Sequence, residues 1–156
     1  METICKKIDT LVFQYLEEFG QLLACKQLIE DAMKNGYFNL SRARIIMGID
    51  NLSSSQYTER DSIIASTRFS ITENPFDVEK QIDQEHADDS IKWFGFFTPG
   101  VLKQSQKSFQ KSIDLILETC RRQKAIENLR IEIQSLLKEK KSFLTKENVD
   151  ENKLID

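Results

Sequence analysis

Apolar residues recur mostly in steps of three and four along the first 35 residues of the chain. This spacing places them on one face of an α-helix, whereas in a strand they would be distributed over both faces. We therefore predict a helix from Glu2 to Asn35, about 50 Å long. Its stripe consists of Ile4, Ile8, Leu11, Tyr15, Phe19, Leu22, Ile29 and Met33. Gly20 weakens the middle of this helix, and a close contact there would be one reason for a glycine.

A second long helical stripe follows Thr98-Pro99, a pair typical of a helix start because threonine caps and proline fits the first turn. We predict this helix from Pro99 to about Leu144, followed by a polar tail at residues 146–156 that frays. Its apolar positions are Val101, Leu102, Phe109, Ile113, Ile116, Leu117, Cys120, Ile126, Leu129, Ile133, Leu136, Leu137, Phe143 and Leu144.

Two amphipathic helices of this length bury their stripes by pairing, and the connecting segment is long enough for them to run antiparallel. The predicted fold is all-α: a long antiparallel helical hairpin, or coiled coil, with a short middle helix and a disordered acidic insert. Parallel pairing between two copies of the chain is an alternative that the sequence leaves open.

The segment after the first helix contains residues that terminate helices. Asn35-Gly36 predicts the end of that helix, because both residues tolerate the left-handed conformation of a C-terminal cap. A short helix from Tyr37 or Phe38 to Met47 should follow and stop at Gly48.

Acidic residues dominate the middle of the chain, which lacks a helical stripe. We predict that residues 49–90 form a variable, mobile linker. Alternation of apolar and polar residues from Ile63 to Ile71 also allows a short strand. The predicted organisation is thus residues 1–48 as long and short helices, 49–90 as linker, 91–145 as aromatic cluster and second long helix, and 146–156 as flexible tail.

Charge and cysteine usage exclude several classes of protein. The formal net charge of −3 and the mixed signs give no basic face for nucleic acid. The longest nearly uncharged apolar stretch, Trp93–Leu102, is about half of the ~20 residues that span a bilayer. Cys5, Cys25 and Cys120 form no metal-ligand or disulfide pattern, which is typical of reduced thiols in a soluble, cytosol-facing chain.

Residues for catalysis are missing from the sequence. His86 is the single histidine, and it lies in the acidic segment without a nearby nucleophile. The five glycines form neither a dinucleotide-binding motif nor a phosphate-binding loop. We therefore predict no catalytic residue, no cofactor and no metal, and a protein that acts by binding.

An aromatic cluster precedes the second long helix. Trp93, Phe94, Phe96 and Phe97 surround Gly95, which is more aromatic area than a loop needs. The cluster either closes the end of the helix pair as a hydrophobic plug, which we favour, or anchors a partner. Two rings could also point each way.

Two sequence blocks resemble a known family. The first runs from Gly36 to Gly48 and has the order glycine-aromatic, leucine, alanine-arginine and methionine-glycine. The second is a Trp-Phe-Gly that leads through proline into a long helix: Trp93, Phe94, Gly95, Pro99, Leu102, Gln106 and Phe109. Both blocks, their order and the acidic insert between them are similar to the coiled-coil-domain-containing assembly factors of the vacuolar-type proton ATPase (V-ATPase).

The resemblance implies a chaperone-like factor without catalytic residues that helps assemble the membrane sector of the proton pump. It further implies a place on the cytosolic face of the endoplasmic reticulum membrane, or in the endoplasmic reticulum-Golgi intermediate compartment. Its partners would be a membrane-spanning assembly factor and immature pump subunits, with membrane contact only through those partners. The candidate interaction residues are Tyr37, Leu40, Arg44, Met47, Trp93, Phe94, Gly95, Pro99, Leu102 and Phe109.

Two other functions remain open at the level of the sequence. A prefoldin-like holdase has two long helices joined by a small β element, so a strand near Ile63–Ile71 would favour it. A coiled-coil scaffold protein is favoured only by the length of the helices.

Overall fold

Two long α-helices account for most of the structure, a computed structural model that describes residues 2–48, 50–52, 65, 67–73, 76–82, 89–95 and 97–153. Helix α1 spans Glu2–Met47 and helix α2 spans Gly100–Lys153. A 3₁₀ helix at Asp50–Leu52, strands β1 (Thr67–Glu73) and β2 (Phe76–Ile82), and a second 3₁₀ helix at Ser90–Phe94 come between them. The prediction of a mostly helical protein with two long helices is confirmed.

Helix α1 does not end at Asn35-Gly36, so the predicted stop and the separate short middle helix are wrong. Gly36 is buried inside the continuous helix. A Cβ atom there would lie only 2.8 Å from Cε1 of Phe109, so this glycine permits the close approach of another helix. The predicted stop at Gly48 is confirmed, since φ is +89° there. Asn51 Nδ2 donates to the carbonyl oxygen of Met47 at 2.7 Å and satisfies the last turn.

The small antiparallel sheet corrects the all-α prediction. Strands β1 and β2 pair from Thr67 opposite Ile82 to Glu73 opposite Phe76. The alternation noted up to Ile71 therefore does mark a strand, shifted toward the C-terminus, and its partner lies within the acidic segment. Residues 53–64 and 83–88, including His86, lie outside the described residues.

Helix α2 begins at Gly100, directly after the predicted Thr98-Pro99 start, and the Pro99 carbonyl accepts from the Leu102 amide at 3.0 Å. Its backbone continues to Lys153, so the helix is longer than the predicted end at Leu144.

The chain divides into two compact units. The first comprises Met1–Ala24 and Arg122–Asp156, and the second comprises Cys25–Arg121. In the first unit the helical segments run antiparallel, because Lys7 pairs with Glu132 at 3.1 Å and Glu18 with Arg122 at 3.0 Å. Its buried apolar residues among those described are Ile8, Leu11 and Leu22. Gly20 also belongs to this unit, and nothing lies within 4 Å of the place a Cβ atom would take, so the expected close contact is absent there.

Small residues form the helix contact of the second unit. The small buried residues are Ala32, Gly36 and Ala43 on α1 and Ser105, Ser112 and Thr119 on α2, and the larger Leu102 of α2 is buried as well. The three hydroxyls of α2 recur every seventh residue, so they lie on one face. Each donates to a backbone carbonyl at 2.7–2.8 Å, which removes the cost of burying it.

The β-hairpin is attached to α2 by polar contacts within the same unit. Arg121 donates to the Val78 carbonyl at 2.7 Å and to Asp77 Oδ1 at 3.2 Å. Lys80 Nζ donates to Asp114 Oδ1 at 2.6 Å. The two groups form an ion pair in which the side chain of Lys80 is 23% exposed. Val78 is buried, and Phe69 and Ile71 of β1 are exposed.

Candidate partner-binding site

The two sequence blocks that carry the family resemblance meet in the second unit. Their contact is centred on Gly36 of α1 and Phe109 of α2, whose ring lies against the glycine. Ser105 Oγ donates to the Gly36 carbonyl at 2.8 Å, one helical turn before Phe109. Tyr37 presents its ring to Phe109 edge to face, with centroids 5.1 Å apart. The close approach of the two helices at Gly36, the hydrogen bond from Ser105 and the aromatic pair of Tyr37 and Phe109 therefore lie next to one another.

A cavity of about 310 Å³ adjoins this contact. Candidate residues Leu40, Phe94, Leu102 and Phe109 all line it, together with Ile91 and Ile113. Leu102 is buried and the other three candidates are half-buried. The structure therefore brings Leu40 of the first block together with three predicted site residues of the second block around one cavity. Its lining also contains the polar residues Thr67, Ser90, Ser105, Gln106 and Gln110.

The aromatic cluster contributes rings to both the interior and the surface. Asp89 caps the 3₁₀ helix Ser90–Phe94 by accepting from the Ile91 amide at 3.1 Å, and it also accepts from Gln106 Nε2 at 3.1 Å. This anchors the 3₁₀ helix to α2, so that Phe94 reaches the cavity. Gly95 ends the turn with φ of +89°, a conformation that favours glycine.

Phe97 is 96% exposed, although it follows Phe94 by only three residues. Trp93 is half-buried and Phe96 lies outside the described residues. Phe94 therefore points toward the cavity, while Phe97 presents a ring to solvent. Phe97 was not among the predicted site residues, and nothing in the sequence distinguishes it from its neighbours.

Three further candidates do not line this cavity. Arg44 is exposed in the last turn of α1, and Met47 is half-buried at its end. Pro99 is half-buried at the start of α2. These three side chains are not among the described residues that line the cavity.

An open cleft of about 690 Å³ lies beside the 3₁₀ helix and the first turns of α2. Lys92, Lys103 and Lys107 line it together with one carboxylate, that of Asp89, so cationic groups outnumber the anionic one. Three cationic side chains and the neighbouring exposed Phe97 give this end of the unit a surface suited to an acidic partner segment with an apolar residue.

The exposed face of α1 in this unit carries an ion pair that shifts two pKa values. Lys34 Nζ lies 2.6 Å from Glu30 Oε1, one helical turn away. The hydrogen bond and the charge of Lys34 lower the pKa of Glu30, and the same bond and charge raise the pKa of Lys34. Both side chains are exposed, so this pair stabilises the helix only slightly.

Ligands for a metal do not come together in the part of the chain that the structure describes: no group of three histidine, cysteine, aspartate or glutamate side chains is found there. Cys5, Cys25 and Cys120 are free thiols. Within the described residues, no helix combines the length and the apolar character of a membrane span.

The two long helices and the small sheet define the class: a mostly α-helical protein with one two-stranded β-hairpin among its described residues. The particular family follows from comparison with known proteins. The family model for the D subunit of ATP synthase matches residues 1–138, and the chain belongs to that family. It is also 22% identical over 195 residues to the vacuolar ATPase assembly protein VMA22 of Danio rerio, with 92% of this chain and 95% of the relative covered.

This relative confirms the resemblance to V-ATPase assembly factors that the two sequence blocks indicated. It is an assembly protein, and the prediction of a non-catalytic protein is confirmed in the same way. Sequence reasoning missed Ser105, Ser112 and Thr119, which set the helix spacing. Their seven-residue spacing could have indicated a buried face, but a search for apolar residues alone does not detect it.

Proposed function

We propose that this chain is a non-catalytic assembly factor of the V-ATPase that binds immature subunits of the membrane sector. It would act on the cytosolic face of the endoplasmic reticulum membrane, or in the adjoining intermediate compartment, and contribute in this way to vacuolar acidification. A membrane-spanning assembly factor of that membrane would be its partner and its only link to the bilayer. The assembly role is supported by similarity to a vacuolar ATPase assembly protein over 92% of this chain.

One structural observation carries the proposed site. The two blocks that resemble the assembly factors pack against each other through Gly36, Ser105 and Phe109. The 3₁₀ helix of the same unit contributes Phe94 to the cavity beside this contact and Lys92 to the lysine-lined cleft. Phe97, exposed at the edge of this surface, is suited to anchor a partner because a buried aromatic ring contributes much of an interface's binding energy.

Phe97→Ala tests this surface with little risk to the fold, because the ring is 96% exposed. Trp93→Ala with Phe94→Ala is less informative, since both rings are half-buried. Phe13→Ala, at another exposed phenylalanine, is the matched control. The tagged chain is purified from membrane extract, and the recovered proteins are quantified by mass spectrometry.

The unaltered chain and Phe13→Ala should recover a small membrane protein together with membrane-sector subunits of the pump. Phe97→Ala should recover both at least about tenfold less, with unchanged circular dichroism. Equal recovery by Phe97→Ala would place the partner surface elsewhere. If no pump subunit is recovered by the unaltered chain, the assembly role itself is wrong.

Membership of the ATP synthase family supports a second candidate, a resident subunit of a rotary ATPase. Density-gradient fractionation distinguishes the two: a subunit co-migrates with the complete pump, and an assembly factor migrates only with incomplete membrane-sector complexes. The β-hairpin is the feature that would favour a prefoldin-like holdase. A hexamer in light scattering would support that function, and a one-to-one complex with a membrane protein would oppose it.

A further inference from the structure

Helix α1 carries a second apolar face that its own unit leaves exposed. Val12, Leu16, Phe19 and Leu23 recur in steps of four, three and four, and all are exposed, Leu16 to 59%. We call these four residues the outer stripe. The buried face of the same helix is formed by other residues, Ile8, Leu11 and Leu22.

The outer stripe has the spacing of a coiled-coil seam, in which apolar residues meet a partner helix every three or four residues. Its central ring is also held in place: Phe19 stacks on Tyr15 with an interplanar angle of 5° and centroids 6.4 Å apart. A ring fixed before binding loses less conformational freedom when a partner covers it. The occupant that fits best is therefore another helix.

The charges at the two ends of the stripe identify that helix. Asp9 lies three residues before Val12, and Lys26 lies three residues after Leu23 on the same continuous helix. Both side chains are exposed. Asp9 and Lys26 each extend the seam by one position. A partner helix that covers the seam therefore lies against a carboxylate at one end and an ammonium group at the other.

A second copy of α1 in antiparallel orientation satisfies every position at once. A two-fold axis between residues 17 and 18 places Leu16 opposite Phe19 and Val12 opposite Leu23. The same axis places Asp9 opposite Lys26, so that an acid–base pair closes the seam at each end. Because the interface is isologous, each of these contacts occurs twice.

Parallel pairing of the same stripe fails on charge. In register, Asp9 would face the Asp9 of the other copy, and Lys26 would face its Lys26. Like charges directly opposite each other oppose association. We propose that the outer stripe binds the outer stripe of a second copy, giving an antiparallel dimer whose register is set by Asp9 and Lys26. The seam is about 25 Å long, so the dimer should dissociate on dilution.

Charge exchange tests both the partner and the orientation. Sedimentation velocity of the full chain over a range of concentrations gives the dimer dissociation constant. Asp9→Lys and Lys26→Asp should each weaken the dimer about tenfold, because each creates two like-charge contacts. The double exchange, Asp9→Lys with Lys26→Asp, should restore the original constant to within about threefold.

Leu28→Ala is the control for loss of an exposed leucine, since Leu28 lies on the side of α1 opposite the stripe and is 48% exposed. It should leave the constant unchanged, whereas Leu16→Ala should weaken the dimer about tenfold. All variants change exposed side chains, and circular dichroism verifies that they remain helical.

Three results would overturn the proposal: a chain that stays monomeric at every concentration, a dimer indifferent to both single charge changes, or a double exchange that restores nothing. A parallel dimer gives the second of these results. The proposal does not rest on the assembly function, since purification from membrane extract and self-association of the pure chain are read separately.

Discussion

Gly36→Ala tests the closest approach between the two blocks of the site. The added Cβ would lie 2.8 Å from Cε1, 2.9 Å from Cζ and 3.0 Å from Cδ1 of Phe109. The Phe109 ring also meets Tyr37 edge to face, so it cannot turn aside without losing that contact. Either the ring or the helix has to move, and Ser105 Oγ, which bonds the Gly36 carbonyl, moves with it.

The magnitude follows from two opposed effects. Alanine favours a helix interior over glycine by about 1 kcal/mol. Overpacking a buried contact costs about 1–3 kcal/mol, so Gly36→Ala should lower the free energy of unfolding by about 0–2 kcal/mol. Gly20→Ala is the matched control, because nothing lies within 4 Å of the new methyl group. It should raise the free energy of unfolding by about 1 kcal/mol.

Urea unfolding followed by circular dichroism measures both variants, and amide hydrogen exchange in the flanking turns reports each unit separately. Phe109→Leu, which shortens the obstructing side chain, should cost less in the Gly36→Ala background than alone. The favourable coupling should be about 0.5–3 kcal/mol in a double-mutant cycle. If Gly36→Ala stabilises the protein as much as Gly20→Ala does, the close contact does not exist and the explanation of the unbroken helix is wrong.

Two further predictions concern polar contacts. Arg121→Gln removes the hydrogen bonds to Asp77 and the Val78 carbonyl, so amide exchange in β2 should accelerate several-fold while exchange in α1 is unaffected. The control is Arg130→Gln, which loses only the ion pair with Glu127 on its own helix and should leave exchange in β2 unchanged. Glu30→Gln should lower the raised pKa of Lys34 toward its ordinary value in an NMR titration, and an unchanged Lys34 would disprove the pairing. Because the pKa of Glu30 is lowered, the small stabilisation that Glu30 contributes is present above the ordinary carboxyl pKa and disappears as pH falls through the lowered value. Because the pKa of Lys34 is raised, the stabilisation that Lys34 contributes disappears as pH rises through the raised value.

The two long helices were predictable because their apolar spacing repeats over many turns, and a repeated period is hard to produce by chance. The continuity of α1 through Gly36 was not. Glycine serves equally as a helix end and as a point of close approach, and only the position of Phe109 decides between them. Gly48, which has no ring against it, adopts the left-handed conformation that was predicted.

The β-hairpin and the shape of the site depended on contacts distant in sequence. Strand β2 contains three charged residues, Asp77, Glu79 and Lys80, so its composition favoured a solvated linker. Two of them are instead used by α2, through Arg121 and Asp114. The candidate residues Leu40, Phe94 and Phe109 were chosen because they belong to the resembling blocks, and only the fold shows that they share a cavity.

The stripe of Ser105, Ser112 and Thr119 has a consequence for how this chain can vary. Because each hydroxyl bonds a carbonyl and each of these side chains is buried, substitution there is limited by volume more than by polarity. Alanine or glycine fits these positions, while valine or leucine would force the helices apart. Divergent homologues should therefore keep small residues at this seven-residue interval even where the apolar pattern has drifted.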